Sequence, residues 1–427
     1  MSEPLRLAFT LLLFGAVVLL VILRPRGIHE AWWTAGGAAI AVLFNLVSAG
    51  QVAGTMAETK DVLLFLLALL ILAALIEASG FFDWAAIRAA ELAHGDPRKL
   101  YRNMFLLGSA ITATLSLDTT AVILTPVVVA AVQRLKLPAR PYVLLCAFIS
   151  NFASLLLPVS NLTNLLFAHA FHLDFLAYTA RMILPQAAAL AVTYAVFRRL
   201  HGRDLPGSFD AADLPEPGSV IRSAPYFRAC RIALTAVLAL YFAAPFFGFA
   251  PYVAGFAGCA CLAAIGIRHR AIGAGIARHI AWAVFPFVIG LFVLVRALEN
   301  CSEIGSGLQR LAADAASAGP GAAVGACIGT GILANGVNNL PAGLIAIDVL
   351  QRAHAPFTVL GGALVGANIG PGITVFGSLA TILVIDSSRR RGVEVHASHV
   401  FRDGVIAAPL ACIGAVIALV LEARFFR

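Results

Sequence analysis

Stretches of about 20 apolar residues recur along the chain, the length a helix needs to cross the hydrocarbon of a bilayer. They fall near 5–23, 31–49, 62–79, 141–158, 176–197, 231–249, 252–267, 280–297, 357–370 and 404–423. Of the 427 residues, 60% are hydrophobic and 12% charged, with mean hydropathy +0.91. Soluble domains carry roughly 45–50% apolar and about 25% charged residues. A soluble fold is excluded, and an all-α integral membrane protein is expected. The first run, Leu5 to Leu23, lacks a strongly basic leading segment and a small-x-small cleavage site, so it reads as a retained span.

Two further apolar stretches, about 103–133 and 321–351, carry Gly, Thr, Asn or Pro at their midpoints. Such a break at membrane depth survives only inside protein or beside a cavity. Both stretches are therefore expected to be re-entrant hairpins, making ten transmembrane helices plus two hairpins. Charge agrees with this and orients the chain. With the amino terminus outside, 22 of the 30 Lys and Arg fall in cytoplasmic loops, against seven outside and Arg181 within a span. The net charge of +8 then reflects topology, and nucleic acid is not an expected partner. Making either hairpin a full crossing would move Arg134, Lys136 and Arg140, or Arg389 to Arg391, outside.

The order of parts repeats. Residues 1–197 and 231–427 each hold three spans, an amphipathic stretch, a broken hairpin, an interrupted span and a last span. The Pro- and Gly-containing segment 198–230 reads as a cytoplasmic linker. Asn151 to Asn164 (NFASLLLPVSNLTN) aligns with Asn368 to Thr381 (NIGPGITVFGSLAT) at a constant offset of 217. The tips Leu117-Asp118-Thr119-Thr120 and Asn338-Asn339-Leu340-Pro341 correspond with a shift of a few residues. Five spans per repeat is an odd number, so the second repeat enters from the opposite side. Inverted-topology repeats place a transported solute near the midplane, between helix interruptions.

Polar residues gather at those interruptions. Asp118 stands in an apolar hairpin, where a carboxylate costs roughly 2.5–3.5 kcal/mol. The low dielectric penalises its charged form, which suits a proton-coupling group. A structural salt bridge to Arg181 or Arg296 is the alternative. Ser116, Thr119 and Thr120 add hydroxyls beside it, and Asn338 and Asn339 add amides at the second tip. Ser160, Asn161, Thr163 and Asn164 interrupt the fourth span; Gly377, Ser378 and Thr381 interrupt the ninth. Half-helix amino termini there present free N–H groups, which suits hydroxyl-rich or anionic solutes. Asp348 is expected to face Arg352 one turn later. The seven cysteines read as helix-packing residues, with a soft-metal role for Cys259 and Cys261 as the alternative. The sequence carries no nucleophile elbow, phosphate loop or zinc motif, so neither enzyme activity nor a cofactor is expected.

At Asp118-Thr-Thr-Ala-Val-Ile-Leu-Thr-Pro126, Asn161-Leu-Thr-Asn-Leu165, Asn338-Asn-Leu-Pro341 and Gly370 to Thr381 the sequence resembles the ArsB-type arsenite/antimonite efflux permeases of the ion transporter superfamily. The similarity runs from about residue 60 to the carboxyl end. The resemblance implies a prokaryotic inner-membrane antiporter that exports As(OH)3 and Sb(OH)3 in exchange for protons, alone or with a cytosolic ATPase subunit. Leu117 stands where the family usually carries Asn before the hairpin Asp. Sodium-coupled dicarboxylate carriers and sodium/proton antiporters of the same superfamily are the alternative. Their Ser-Asn-Thr motifs are only approximated by Ser160-Asn161-Leu162-Thr163 and Gly377-Ser378-Leu379. An uncoupled channel is less consistent with an internal repeat whose breaks meet at mid-depth.

Overall fold

A computed structural model describes residues 2–205, 207–210, 213–301 and 321–425, among which every regular element is helical. Helix α1 (Glu3–Leu23) closes at Arg24, whose φ of 42° lets the chain turn into α2 (Glu30–Leu43). Ser48 caps α3 (Ala49–Glu58) reciprocally with Gln51, satisfying two otherwise orphaned N–H groups. A 58° bend joins α3 to α4 (Lys60–Glu77). The short α5 (Phe81–Glu91) is amphipathic, burying Phe82 and Ile87 while exposing Asp83 and Arg88. Next come α6 (Pro97–Thr114), α7 (Leu117–Arg134), α8 (Ala139–Phe152), α9 (Leu162–Ala170) and α10 (Phe175–His201).

After a connection holding the single turn Pro217–Val220, the order resumes. It runs through α11 (Ala224–Phe247), α12 (Pro251–Arg268) and α13 (Val284–Glu299) to α14 (Gly321–Val337) and α15 (Asn339–Arg352). The chain finishes with α16 (Phe357–Ile369), α17 (Leu379–Arg389) and α18 (Ala397–Phe425).

Among the described residues, six helices are long and apolar enough to cross a membrane: α1, α7, α10, α11, α12 and α18; the bent α3–α4 pair makes seven. The apolar runs outnumber these because several are interrupted. The run at 31–49 yields only the 14 residues of α2, and those at 141–158 and 357–370 stop short where the backbone breaks. The first broken stretch begins at Pro97 rather than near 103, because Asp96 caps α6 by accepting from Arg98 N at 2.8 Å.

The chain reverses at both expected tips. Thr112 and Thr120 bring their hydroxyls within 2.7 Å across the turn between α6 and α7. Tyr142 Oη donates to the Pro97 carbonyl at 3.4 Å, so the start of α6 lies beside the start of α8. Helices α14 and α15 pack on each other across Asn338, whose φ of 83° few residue types besides Gly and Asn accept.

Packing crosses the chain in matched pairs. Helix α2 packs on α13 and α4 on α12; α1 packs on α2 and α11 on α12; α9 packs on α15 and α17 on α7. The remaining long partners, α10 and α18, pack on each other. Large apolar side chains such as Leu12, Leu43, Phe247 and Ile332 are exposed around this bundle, as a lipid-facing surface requires.

The closest helix approach is between α14 and α16. Cβ atoms at Gly362 and Gly366 would strike the Ala323 and Cys327 carbonyls, and one at Gly370 would strike Gly331. Small residues every fourth position let two backbones touch. Gly366→Ala is therefore expected to lower the thermal midpoint of the detergent-solubilised protein, an overpacking cost of about 1–3 kcal/mol. Gly325→Ala, where a Cβ meets nothing within 4 Å, should not. Equal midpoints for the two variants would show that the helices stand further apart.

Candidate functional site

Among the described residues, four helices begin inside the molecule, and each starts at a polar cap. Ser116 accepts from Thr119 N at 3.2 Å to start α7, and Asn338 from Leu340 N at 3.5 Å to start α15. Asn161 accepts from Thr163 N at 3.0 Å to start α9, and Ser378 from Ala380 N at 3.3 Å to start α17. Asn161 and Ser378 share one backbone conformation, φ −151° with ψ 138° and φ −143° with ψ 136°. A buried helix start must satisfy its orphaned N–H groups, and a short polar side chain does this locally.

The two interrupted helices cross at Asn368, near the end of α16. Its Oδ1 accepts from Asn161 Nδ2 and Ser154 Oγ, both at 2.7 Å. Its Nδ2 donates to Asn164 Oδ1 and the Leu364 carbonyl, both at 2.8 Å. Asn164 in turn donates to the Ser154 and Leu157 carbonyls of the first break. Asn151 Nδ2 donates to Thr381 Oγ1 at 3.0 Å, joining α8 to α17. From α10, Gln186 closes the first break by donating to the Phe152 carbonyl at 2.8 Å and accepting from Leu155 N at 2.7 Å.

Each break is also tied to a tip. Ser160 Oγ donates to the Ala113 carbonyl at 2.7 Å, beside the turn between α6 and α7. Asn335 of α14 donates to the Gly370 carbonyl at 2.7 Å and accepts from both Thr374 N and Thr374 Oγ1 at 3.0 Å. Asn338 Nδ2 donates to the Phe376 carbonyl at 3.3 Å. Gly377 packs so closely on Pro371 that a Cβ would strike its carbonyl.

Asp118 lies half-buried in the first turn of α7, where the positive end of the helix favours a carboxylate. Ser116 and Thr119 share a hydroxyl contact of 3.1 Å beside it, and residues 120–124 form a π-turn, a distortion found often at functional sites. Among the described residues, no hydrogen bond or salt bridge engages this carboxylate. The salt-bridge alternative is overturned. Arg181 lies 4.4 Å from the centroid of the Phe357 ring, and Arg296 pairs with Glu58 and Glu299 at 3.3 and 3.0 Å. Glu30, at the start of α2, is buried and held 3.0 Å from Arg24, which also meets Asp386 at 3.3 Å.

The structure thus joins Ser160, Asn161, Asn164, Ser378 and Thr381 to the two breaks, and Ser116, Asp118, Thr119 and Thr120 to one tip. No hydrogen bond among the described residues links the Asp118 turn directly to the Asn368 crossing. Most of these polar atoms are spent on holding the backbone. Unspent capacity remains on Thr163 Oγ1 and Asn151 Oδ1, which are buried without partners. It remains also on Asn339, which is buried one turn before Gly343, where α15 meets Thr163. Sequence reasoning passed over Asn368, Ser154, Asn335 and Gln186. The available signal was a lone amide in an otherwise apolar helix, as at Asn368. Asp348 does face Arg352, at 2.8 Å, and both belong to the charged end of α15. Cys259 is buried against the Ala68 carbonyl while Cys261 is exposed, so the two thiols do not converge.

Each buried group left without a partner costs about 1–3 kcal/mol. Asn368→Leu orphans Asn161 Nδ2 and Asn164 Oδ1 together and removes one of two acceptors of Ser154, whereas Thr381→Val removes one of two acceptors used by Asn151. The first substitution is expected to lower the thermal midpoint well beyond the second. Comparable losses would show that Asn368 is not the joint of the crossing.

The sequence matches the family described as arsenical pump membrane protein across residues 7–421. It is 29% identical over 408 residues to the arsenical pump membrane protein of Yersinia enterocolitica, covering 92% of this chain and 94% of that one. It is 30% identical over 414 residues to that of Escherichia coli, covering 93% and 95%. In fold it is similar to the Alcanivorax borkumensis YdaH transporter, with a TM-score of 0.61 at 17% identity over 99% and 98% of the two chains. A likeness at that identity speaks for architecture alone. Matched across nearly its whole length, this helical chain belongs to the arsenical pump membrane protein family.

Proposed function

We propose that the protein exports trivalent metalloid hydroxides, As(OH)3 and Sb(OH)3, in exchange for protons. The observation that carries this reading is the pairing of an uncharged amide and hydroxyl crossing with one unpartnered carboxylate at a helix tip. A small neutral trihydroxide needs hydrogen-bond donors and acceptors rather than fixed charge. Asn339, Thr163 and Asn151 have that capacity to spare, and Ser116, Thr119, Thr120, Ser160, Asn161, Asn164, Asn338, Gly377, Ser378 and Thr381 shape the ground around them.

Asp118 serves in this mechanism as the proton carrier. Ionised, it accepts a strong, charge-assisted hydrogen bond from a metalloid hydroxyl; protonated, it is a weaker acceptor and releases the solute. Proton and metalloid then compete for one carboxylate, and competition at a single site that faces each side in turn is what exchange requires.

The architecture proposed with this function has ten spans and two re-entrant hairpins in two inverted repeats, 1–197 and 231–427, joined by the linker 198–230. The matched pairs α2 with α13 and α12 with α4 support it, since exchanging the repeats converts one pair into the other. The neighbouring starts of α6 and α8 support the re-entrant path. The excess of Lys and Arg in one set of loops supports an amino terminus outside and basic loops in the cytoplasm of a prokaryotic cell with this protein in its inner membrane. A cytosolic ATPase subunit is an optional partner in this reading, because the site itself supplies a route for ion coupling.

Arsenite uptake by everted membrane vesicles tests the mechanism. An imposed pH gradient, acid inside, should drive accumulation by the unaltered protein with or without sodium. Asp118→Asn should reduce it to the background of vesicles lacking the protein, at equal membrane abundance. Undiminished uptake by that variant would remove Asp118 from the coupling, and strict dependence on sodium would favour the sodium-coupled alternative.

A further inference from the structure

A polar cavity of about 570 Å3 lies between the start of α6 and the end of α10. Arg98, Lys99 and Arg102 line it from α6, and Arg198, Arg199 and Arg203 from the end of α10 and the turn after it. No salt bridge among the described residues engages any of the six. The nearby carboxylates are committed elsewhere. Asp96 accepts from the Arg98 and Lys99 backbone N–H groups, and Asp204 faces Arg140 and His201. Concentrating unpaired cations costs repulsion, which an anion of matching size would relieve.

Tyr101 lines the same cavity, with its hydroxyl sealed away from it and its ring packed 5.4 Å from that of Tyr142 and 6.5 Å from that of His201. The cavity also continues into apolar surface. On α6, Leu106 and Ala110 follow Arg102 at four-residue spacing, and all three are exposed. On α10, Ala191 and Leu184 precede Arg198 at seven-residue spacing and are exposed as well. The Phe105 and Tyr194 rings, 5.2 Å apart between centroids, bridge the two helices along this seam. Cations at one end and two exposed apolar stripes leading away from it match a phosphodiester headgroup with acyl chains, and do not match a free phosphate.

We propose that this groove binds one anionic phospholipid of the cytoplasmic leaflet, its phosphate held by the Arg98, Arg102 and Arg198 side chains. The proposal rests on the membrane orientation given above, which puts the start of α6 and the end of α10 at the cytoplasmic interface. Basic pockets between helices at that interface suit anionic headgroups. A bound lipid would tie α6, the first limb of the Asp118 hairpin, to α10.

The test measures lipid binding rather than transport. The full-length protein is titrated in detergent with cardiolipin, phosphatidylglycerol, phosphatidylcholine or inorganic phosphate, and bound lipid is read by native mass spectrometry together with the thermal midpoint. The two anionic lipids should bind and raise the midpoint, whereas phosphatidylcholine and phosphate should not. Each cation removed is expected to weaken anionic-lipid affinity about five-fold, so Arg98→Gln/Arg102→Gln/Arg198→Gln should lose on the order of 100-fold. The same charge loss in Arg389→Gln/Arg390→Gln/Arg391→Gln should leave binding unchanged. Equal binding by both triple variants, or an equal response to inorganic phosphate alone, overturns the proposal. Neither result bears on arsenite uptake by vesicles, so this proposal and the transport mechanism stand or fall separately.

Discussion

Everything at the centre of this protein depends on one constraint: a helix interrupted inside an apolar bundle must find internal partners for the backbone groups that it frees. Among the described residues, four helices start inside the molecule, and Ser116, Asn161, Asn338 and Ser378 each return a hydrogen bond to the N–H groups of their own first turn. What the caps leave over passes to a second layer. Asn368 joins the two interrupted helices, Gln186 closes one break from α10, and Asn335 closes the other from α14. Without these amides the breaks would leave bare polar backbone in apolar surroundings, at a cost of several kcal/mol per group.

That accounting sorts structural polarity from binding polarity. Asn164 lies in the binding pattern of the sequence, yet both halves of its amide are consumed by Ser154, Leu157 and Asn368. Thr381 accepts from Asn151, and Ser160 spans two backbone segments. At the breaks and tips the groups that hold nothing up are Asn339, Thr163 Oγ1, Asn151 Oδ1 and the carboxylate of Asp118. They are few, they belong to α15, α9, α8 and α7, and only the last bears charge. Under the function proposed above, these are the groups left for a compact neutral hydroxide.

The charged residues follow a separate logic. Arg24 links Glu30 and Asp386, fastening the start of α2 to the end of α17, and Arg296 links Glu58 with Glu299. Pairing removes most of the penalty of a partly buried charge. Asp118 has no such partner among the described residues, and neither has Glu422, which is buried near the end of α18 with both carboxylate oxygens unbonded. What sets Asp118 apart is its place, in the first turn of a helix that begins at an internal tip.

Much of the plan was legible in the residues. Twenty-residue apolar runs dictate helices, the Gly, Pro and Asn clusters dictate where they stop, and the offset of 217 between Asn151–Asn164 and Asn368–Thr381 pairs the two breaks before any coordinates exist. Those are local properties, because capping and helix termination act within a turn or two of chain. Which amide holds the backbone and which remains free was beyond the sequence, since Asn161 and Asn368 lie 207 residues apart and their hydrogen bond exists only once the two helices cross. The isolation of Asp118 likewise became visible only when Arg181 and Arg296 were found facing other partners. The sequence alone determined where the chain can bend; the tertiary structure decided what each polar atom there is left to do, because hydrogen-bond capacity is consumed by neighbours that only folding supplies.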